Sequence, residues 1–343
     1  MALVYLGEAA QPEVIVGAAS AAAAAAAAAP APAGAAEAPA PAPAPAPGAA
    51  AAAAAPARRS AFPARALIEG QGGKLFGTGR FVAAEMALRG VQVEAFDAED
   101  MLRGRVPLTR ADLVVTTSDN AVSQAALARL GVARPPAPDY PACLRPLLHR
   151  RLWTSTLGEL AARLAANPAK RIFAKPAVVA KAFAGDVFEH GGMATYLLTR
   201  DDPPPLPASL EVVCSEVVEM LAEWRAYCVR GEVRSVVHYG RSVPEGVVLD
   251  LGVVREAART LFASEEGREL VGCSIDFAAM RPGGAGAPLV TALIEVNDGF
   301  SLGAYDGVSA ADYVDVLVAR WHRLMEAPAA AAGGGDSGGS SRA

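Results

Sequence analysis

The stretch Leu293–Gly303, LIEVNDGFSLG, sets a carboxylate and a carboxamide two residues apart in an apolar run and passes directly into a glycine-containing loop. Side chains alternate across a strand, so Glu295 and Asn297 project together from one face while Ile294 and Val296 project from the other into a core. A hard cation such as Mg²⁺ takes oxygen ligands and keeps waters and phosphates as the rest of its shell, which suits a carboxylate beside an amide oxygen. Taken alone, Glu-x-Asn also fits the polar outer face of a half-solvated antiparallel strand. The segments around it have to decide.

Immediately upstream, LVGCSIDFAAM and LVTALIEVND read as a strand pair joined by the loop RPGGAGAP. Pairing across that loop brings Asp276 beside Glu295 and Asn297, a cluster of three oxygen-bearing side chains. Downstream, Ser309 and Asp312 cap a helix whose Val314, Leu317, Val318, Trp321 and Met325 follow helical spacing and form a core-facing stripe.

Further back, EVVCSEVVEMLAEWRAYCVRGEVRSVVHYG is the longest β-rich region, with a hairpin turned at Arg230-Gly231. Its carboxylates could hold ribose hydroxyls and Arg225 could hold phosphate oxygens, or the same residues could form cross-strand ion pairs. RIFAKP reads as a strand ending in Lys175, where an ammonium aimed into a cleft neutralises phosphate as a point charge; a solvated lysine at a sheet edge is the other reading. Lys and Asn are scarce, four and three in the chain, yet three of the lysines fall between residues 170 and 181 and one asparagine is Asn297. Between these parts, Thr156 and Glu159 make a capping box for a helix stopped at Asn167-Pro168.

From about residue 62 the text alternates short apolar strands with amphipathic helices: RALIEG, RFVAAEMALRG, VQVEAFD and ADLVVTTS describe a small α/β unit with a parallel sheet. Its glycine-rich turn, EGQGGKLFGTG, fails both phosphate-loop patterns at Leu75 and reads as a strand-to-helix turn. Residues 18–57 are almost wholly Ala and Pro, without side chains large enough to bury, and are expected to be a disordered spacer. Removing it and the Gly/Ser-rich tail leaves about 270 residues.

The 343 residues carry a net charge of −5 without a basic block, so no footprint for nucleic acid is expected. Four widely spaced cysteines without Cys-x-x-Cys disfavour zinc and read as reduced thiols. No apolar run of spanning length and no Lys or Arg in the amino-terminal segment before the Ala run point to a soluble, cytoplasmic protein, with organelle import left open.

Taken in order, FAKP, CSEVVEMLAEWR, SIDFAAM and IEVNDGFSLGAYDG, with DYP and LWTSTLGEL upstream, resemble an uncharacterised family of ATP-grasp domain proteins over residues 62–325. That resemblance implies an α+β chain: an ATP-grasp fold, two α+β lobes clasping ATP, over 151–326, preceded by a small α/β domain over 62–150 and flanked by low-complexity regions at 1–61 and 327–343. It implies that Lys175 and Lys181 meet ATP phosphates, that the backbone at Glu216, Val217 and Val218 contacts adenine, and that Glu223, or Glu219, takes the ribose. It assigns Arg225 to the γ-phosphate or acyl phosphate, and Asp276, Glu295 and Asn297 to Mg²⁺. The implied activity is ATP-dependent ligation of an unidentified carboxylate to an amine or other nucleophile. Phosphotransfer on the same fold and a non-catalytic nucleotide-binding module are the alternatives.

The spacer reading has a direct test. Deleting residues 18–57 should leave the melting temperature of the chain unchanged, because the segment holds no side chain able to join a core; a drop of several degrees in a thermal melt would show that it packs.

Overall fold

Three sheets organise the computed structural model, which describes residues 62–326 apart from 118–119, 178–181, 190–191, 202, 241, 283 and 285. The readings of the Ala/Pro tract, of the Gly/Ser tail and of Lys181 fall outside these described residues. The first sheet is parallel, in the order β2 (Gln92–Asp97), β1 (Arg65–Gly70), β3 (Asp112–Val115). Arg65 ties its three strands together: Nε and Nη2 donate to Asp112 Oδ1 and Oδ2 (3.0 and 2.8 Å), and Nη1 donates to Glu94 (3.2 Å). The glycine-rich segment after β1 is a turn, closed by backbone hydrogen bonds between Gln71 and Lys74, and leads into α1 (Gly77–Leu88). The helices α2 (Ala98–Leu102) and α3 (Asn120–Arg129) complete this unit.

A connecting segment with a 3-10 turn at Ala142–Leu147 leads to the second sheet, which is antiparallel. Its order is β4 (Leu152–Thr156), β7 (Glu211–Ser215), β5 (Arg171–Pro176), β6 (Asp186–Glu189). The strand β4 is not evident in the sequence: LWTST has no clean apolar alternation and becomes a strand by pairing with β7, much later in the chain. The next helix, α4 (Leu157–Ala166), opens on the expected capping box: Thr156 Oγ1 accepts from Glu159 N and Glu159 accepts from Thr156 N. With α5 (Gly192–Thr199) it covers one face of the sheet, where Ile172 and Ala174 are fully buried. Alternation along β5 therefore turns Phe173 and Lys175 to the opposite face.

The third sheet, also antiparallel, runs β11 (Val290–Asp298), β10 (Gly272–Met280), β8 (Met220–Val229), β9 (Glu232–Tyr239). The β8–β9 hairpin turns at Arg230 and Gly231, both in the left-handed region (φ 51° and 87°). Residues 216–219 carry the chain from the second sheet to the third, so the apolar EVVCSEVV stretch is strand only as far as Ser215. One face of the third sheet packs on α6 (Leu251–Ala263), through Ala226, Cys228, Ile275, Phe277, Leu293 and Val296. After the short α7 (Glu265–Leu270), β10 is buried along its whole length. The final helix, α8 (Ala310–Glu326), is capped by Ser309 and lies against the other face at Tyr227 and Val237 with the expected stripe of Val314, Leu317, Val318 and Trp321. That stripe also belongs to the core of the α/β unit, and Trp321 Nε1 donates to Asp112 O of β3 (2.7 Å). Cys214, Cys228 and Cys273 are buried, and Cys143 is half-buried. No helix among the described residues is long and apolar enough to cross a membrane.

Gly272 marks where β10 and α8 approach most closely. A methyl there would sit 2.5 Å from Val316 O and 3.2 Å from Arg320 N, contacts that only a shift of the helix relieves. Gly272→Ala should destabilise the fold by about 1–3 kcal/mol, read as a lowered denaturation midpoint with an unchanged m-value.

Candidate active site

Arg225 on β8, Asp276 on β10 and Glu295 on β11 lie directly opposite one another, one rung across three strands. Glu223 and Arg225, two residues apart, share the face that α8 covers further along at Tyr227. Arg225 and Asp276 form a buried two-pronged pair, Nε to Oδ1 at 2.8 Å and Nη2 to Oδ2 at 2.7 Å. Asn297 Nδ2 donates to the same Oδ2 at 3.1 Å. Tyr239 and Tyr305 stack at 4.5 Å, and the Arg225 guanidinium lies 4.6 Å from the Tyr305 ring centre and 5.8 Å from that of Tyr239. Tyr305 is held in turn by the Tyr227 hydroxyl, which accepts from Tyr305 N and donates to Gly303 O, each at 3.0 Å.

A bulge in β11 shapes this arrangement. Asp276 faces Glu295 but Phe277 faces Leu293, which leaves Ile294 as the extra residue. The expectation that Ile294 enters the core is therefore corrected: Ile294 is half-buried, and Leu293 and Val296 fill the α6 side instead. Strict alternation would have put Leu293 on the face of Glu295. Arg150 supports the bulge, Nη1 donating to Leu293 O (2.7 Å) and Nη2 to Ile294 O (3.0 Å).

Lys175 reaches this rung from the second sheet. Its Nζ donates to Glu295 Oε2 (2.8 Å) and Asp139 Oδ1 (3.0 Å) and lies 4.6 Å from the centre of the Tyr140 ring. Burial alone would depress this ammonium, but Glu295, Tyr140 and Asp139 raise it above the ordinary lysine range. Burial likewise pushes Glu295 up, and Lys175 with Arg225 and Asn297 outweighs it, so the carboxylate stays below its usual range. Glu223 is raised by burial, with Asp276 and Glu295 adding to it and a hydrogen bond from Tyr239 opposing.

The geometry thus brings Lys175, Glu223, Arg225, Asp276, Glu295 and Asn297 into one network. Glu216, Val217, Val218 and Glu219 occupy the crossing between the two sheets, with both glutamates exposed and the valines half-buried. Glu216 accepts from Arg151 N (3.1 Å). Asp298, next to Asn297, is engaged elsewhere: Arg320 of α8 grips both of its oxygens at 2.7 and 2.6 Å. Asp139, Tyr140, Arg150, Tyr239 and Tyr305 do not stand out in the sequence. The motif DYP carries the first two, without any periodicity to assign them a face.

Among the described residues no three His, Cys, Asp or Glu side chains converge as a ready metal site. The oxygen set here is two carboxylates and one amide, hard donors that fit Mg²⁺ in kind, and each carboxylate is engaged by a protein cation.

Residues 147–316 match a family model described as an ATP-grasp domain, and the chain is an ATP-grasp domain protein. No curated protein matches it. Similar solved structures include D-alanine–D-alanine ligase from Bacillus anthracis complexed with ATP (12% identity over 78% of this chain and 99% of that one, TM-score 0.46). A RimK domain ATP-grasp protein from Sphaerobacter thermophilus is 15% identical over 74% of this chain and 99% of its own (TM-score 0.48). The ATP-grasp ligase PsnB with minimal precursor, Mg and ADP is 15% identical over 75% and 97% (TM-score 0.41).

Removing Arg225 would strand the Asp276 carboxylate in the sheet. Arg225→Met should cost about 3–5 kcal/mol in chemical denaturation, and adding Asp276→Asn should recover part of that loss. A single variant as stable as wild type would mean that the pair is not buried as described.

Proposed function

We propose that this protein is an ATP- and magnesium-dependent ligase that activates a carboxylate as an acyl phosphate for attack by an amine or another nucleophile. The observation that carries the reading is the meeting of Lys175 from one sheet with the Arg225–Asp276–Glu295 rung of the other, beside the crossing at 216–219. Lys175 would balance phosphate charge, the backbone of Glu216 to Val218 would receive the base, and Glu223 or Glu219 the ribose hydroxyls. Asp276, Glu295 and Asn297 would hold Mg²⁺, which supplies charge neutralisation and alignment of the phosphates. Arg225, fixed by Asp276 and the two tyrosines, would stabilise the charge of the transferring phosphoryl group.

In that chemistry a substrate carboxylate oxygen bonds to the γ-phosphorus as the bond to ADP breaks. The nucleophile then adds to the acyl carbon and phosphate leaves. Positioning and fixed charge do the work, and no protein nucleophile is required.

Incubating the full chain with ATP, Mg²⁺ and a mixture of amino acids, and following ADP and coupled product by mass spectrometry, tests the reading. ADP with a condensed product supports it, while a phosphorylated substrate in its place makes the protein a phosphotransferase. Lys175→Ala should weaken ATP binding by about one to two orders of magnitude. Glu295→Gln should abolish magnesium-dependent turnover with the fold retained. Equal magnesium dependence of nucleotide binding in wild type and Glu295→Gln would remove that strand from the site.

A further inference from the structure

Lys175 is fully engaged. Two carboxylates from different parts of the chain hold its ammonium, Glu295 of β11 and Asp139 of the connecting segment, and the Tyr140 ring lies against it. Four carboxylates, Asp139, Glu223, Asp276 and Glu295, face two cations, Lys175 and Arg225, in this network. A nucleotide triphosphate arriving alone adds charge of the sign already in excess, and it finds the one lysine of the network occupied.

Glu295 belongs to the proposed cation set, and Asp139 does not. When Glu295 is drawn to a divalent cation, Lys175 loses one partner and is retained by Asp139 alone. We infer that Asp139 is a positioning residue that holds Lys175 away from nucleotide until a divalent cation engages Glu295, making nucleotide binding depend on the cation. The inference rests on the assignment of Lys175 and Glu295 proposed above.

Asp139 is placed rigidly enough for this role. Its carbonyl accepts from Val296 N (2.8 Å), one residue from Glu295, and its φ of 34° lies in the left-handed region. Asn and Gly both tolerate that backbone, so Asp139→Asn and Asp139→Gly remove the charge without disturbing the backbone bond to β11.

The test measures ATP affinity by calorimetry in EDTA and in saturating Mg²⁺ for the full chain, for Asp139→Asn, Lys175→Met and the double variant, with Asp139→Gly as a second version. Asp139→Asn should bind ATP about fivefold more tightly in EDTA and nearly as wild type in Mg²⁺, so that the enhancement by magnesium shrinks. In the Lys175→Met background the same change should have almost no effect, because a residue acting through Lys175 has nothing left to act on. An unchanged magnesium enhancement overturns the inference. So does an effect that persists without Lys175, which makes Asp139 a general field, and so does a loss of affinity confined to Mg²⁺, which makes it a cation ligand. Absence of ATP binding by the wild type in Mg²⁺ overturns the ligase reading itself, an outcome distinct from wild-type binding with Asp139→Asn unaltered.

Discussion

Two carboxylates standing directly opposite each other in a sheet repel, and Asp276 and Glu295 do so with little water to screen them. Each must therefore be neutralised from its outer side. Arg225 does this for Asp276 from within the same sheet, and Lys175 does it for Glu295 from the neighbouring sheet, while the Asn297 amide supports both. The row reads cation, anion, anion, cation. Because its last member lies on β5, the balance of charge in the third sheet is completed only when the second is in place.

Much of the surrounding structure serves that row. The alternation that buries Ile172 and Ala174 against α4 and α5 leaves Lys175 no choice of face. The bulge at Ile294 lets Leu293 and Val296 fill the α6 core without taking Glu295 with them. Asp298 is kept out of the row by Arg320, which ties the end of β11 to α8. Between the sheets, the segment from Asp139 to Arg150 binds β11 at three points, through Asp139 O to Val296 N and through Arg150 to the carbonyls of Leu293 and Ile294.

An ion network so fully satisfied is well suited to exchange. Divalent cation, phosphate and protein side chains compete for the same oxygens and the same ammonium, so binding one rearranges the partners of the others. This is how a buried cluster whose own pairs add little net stability can still serve function.

Local pattern was enough for a good part of this. The alternation in SIDFAAM and LIEVND placed Asp276, Glu295 and Asn297 together, Arg230-Gly231 turned the hairpin, Thr156 and Glu159 capped α4, and the spacing from Val314 to Trp321 defined the buried side of α8. Each depends on residues a few positions apart, whose relative directions follow from the geometry of one element. The bulge, the strand made of LWTST, the partner of Arg225 and the arrival of Asp139 and Tyr140 beside Lys175 were not legible in that way. Every one of them is a choice among partners distant in the chain: Ile294 yields because α6 needs Leu293, LWTST pairs because β7 has a free edge, and Arg225 turns to Asp276 because the register puts them opposite. Sequence determined which faces carry charge, and tertiary structure decided which charges meet, because Coulomb and hydrogen-bond energies depend on distances that exist only once remote elements have packed.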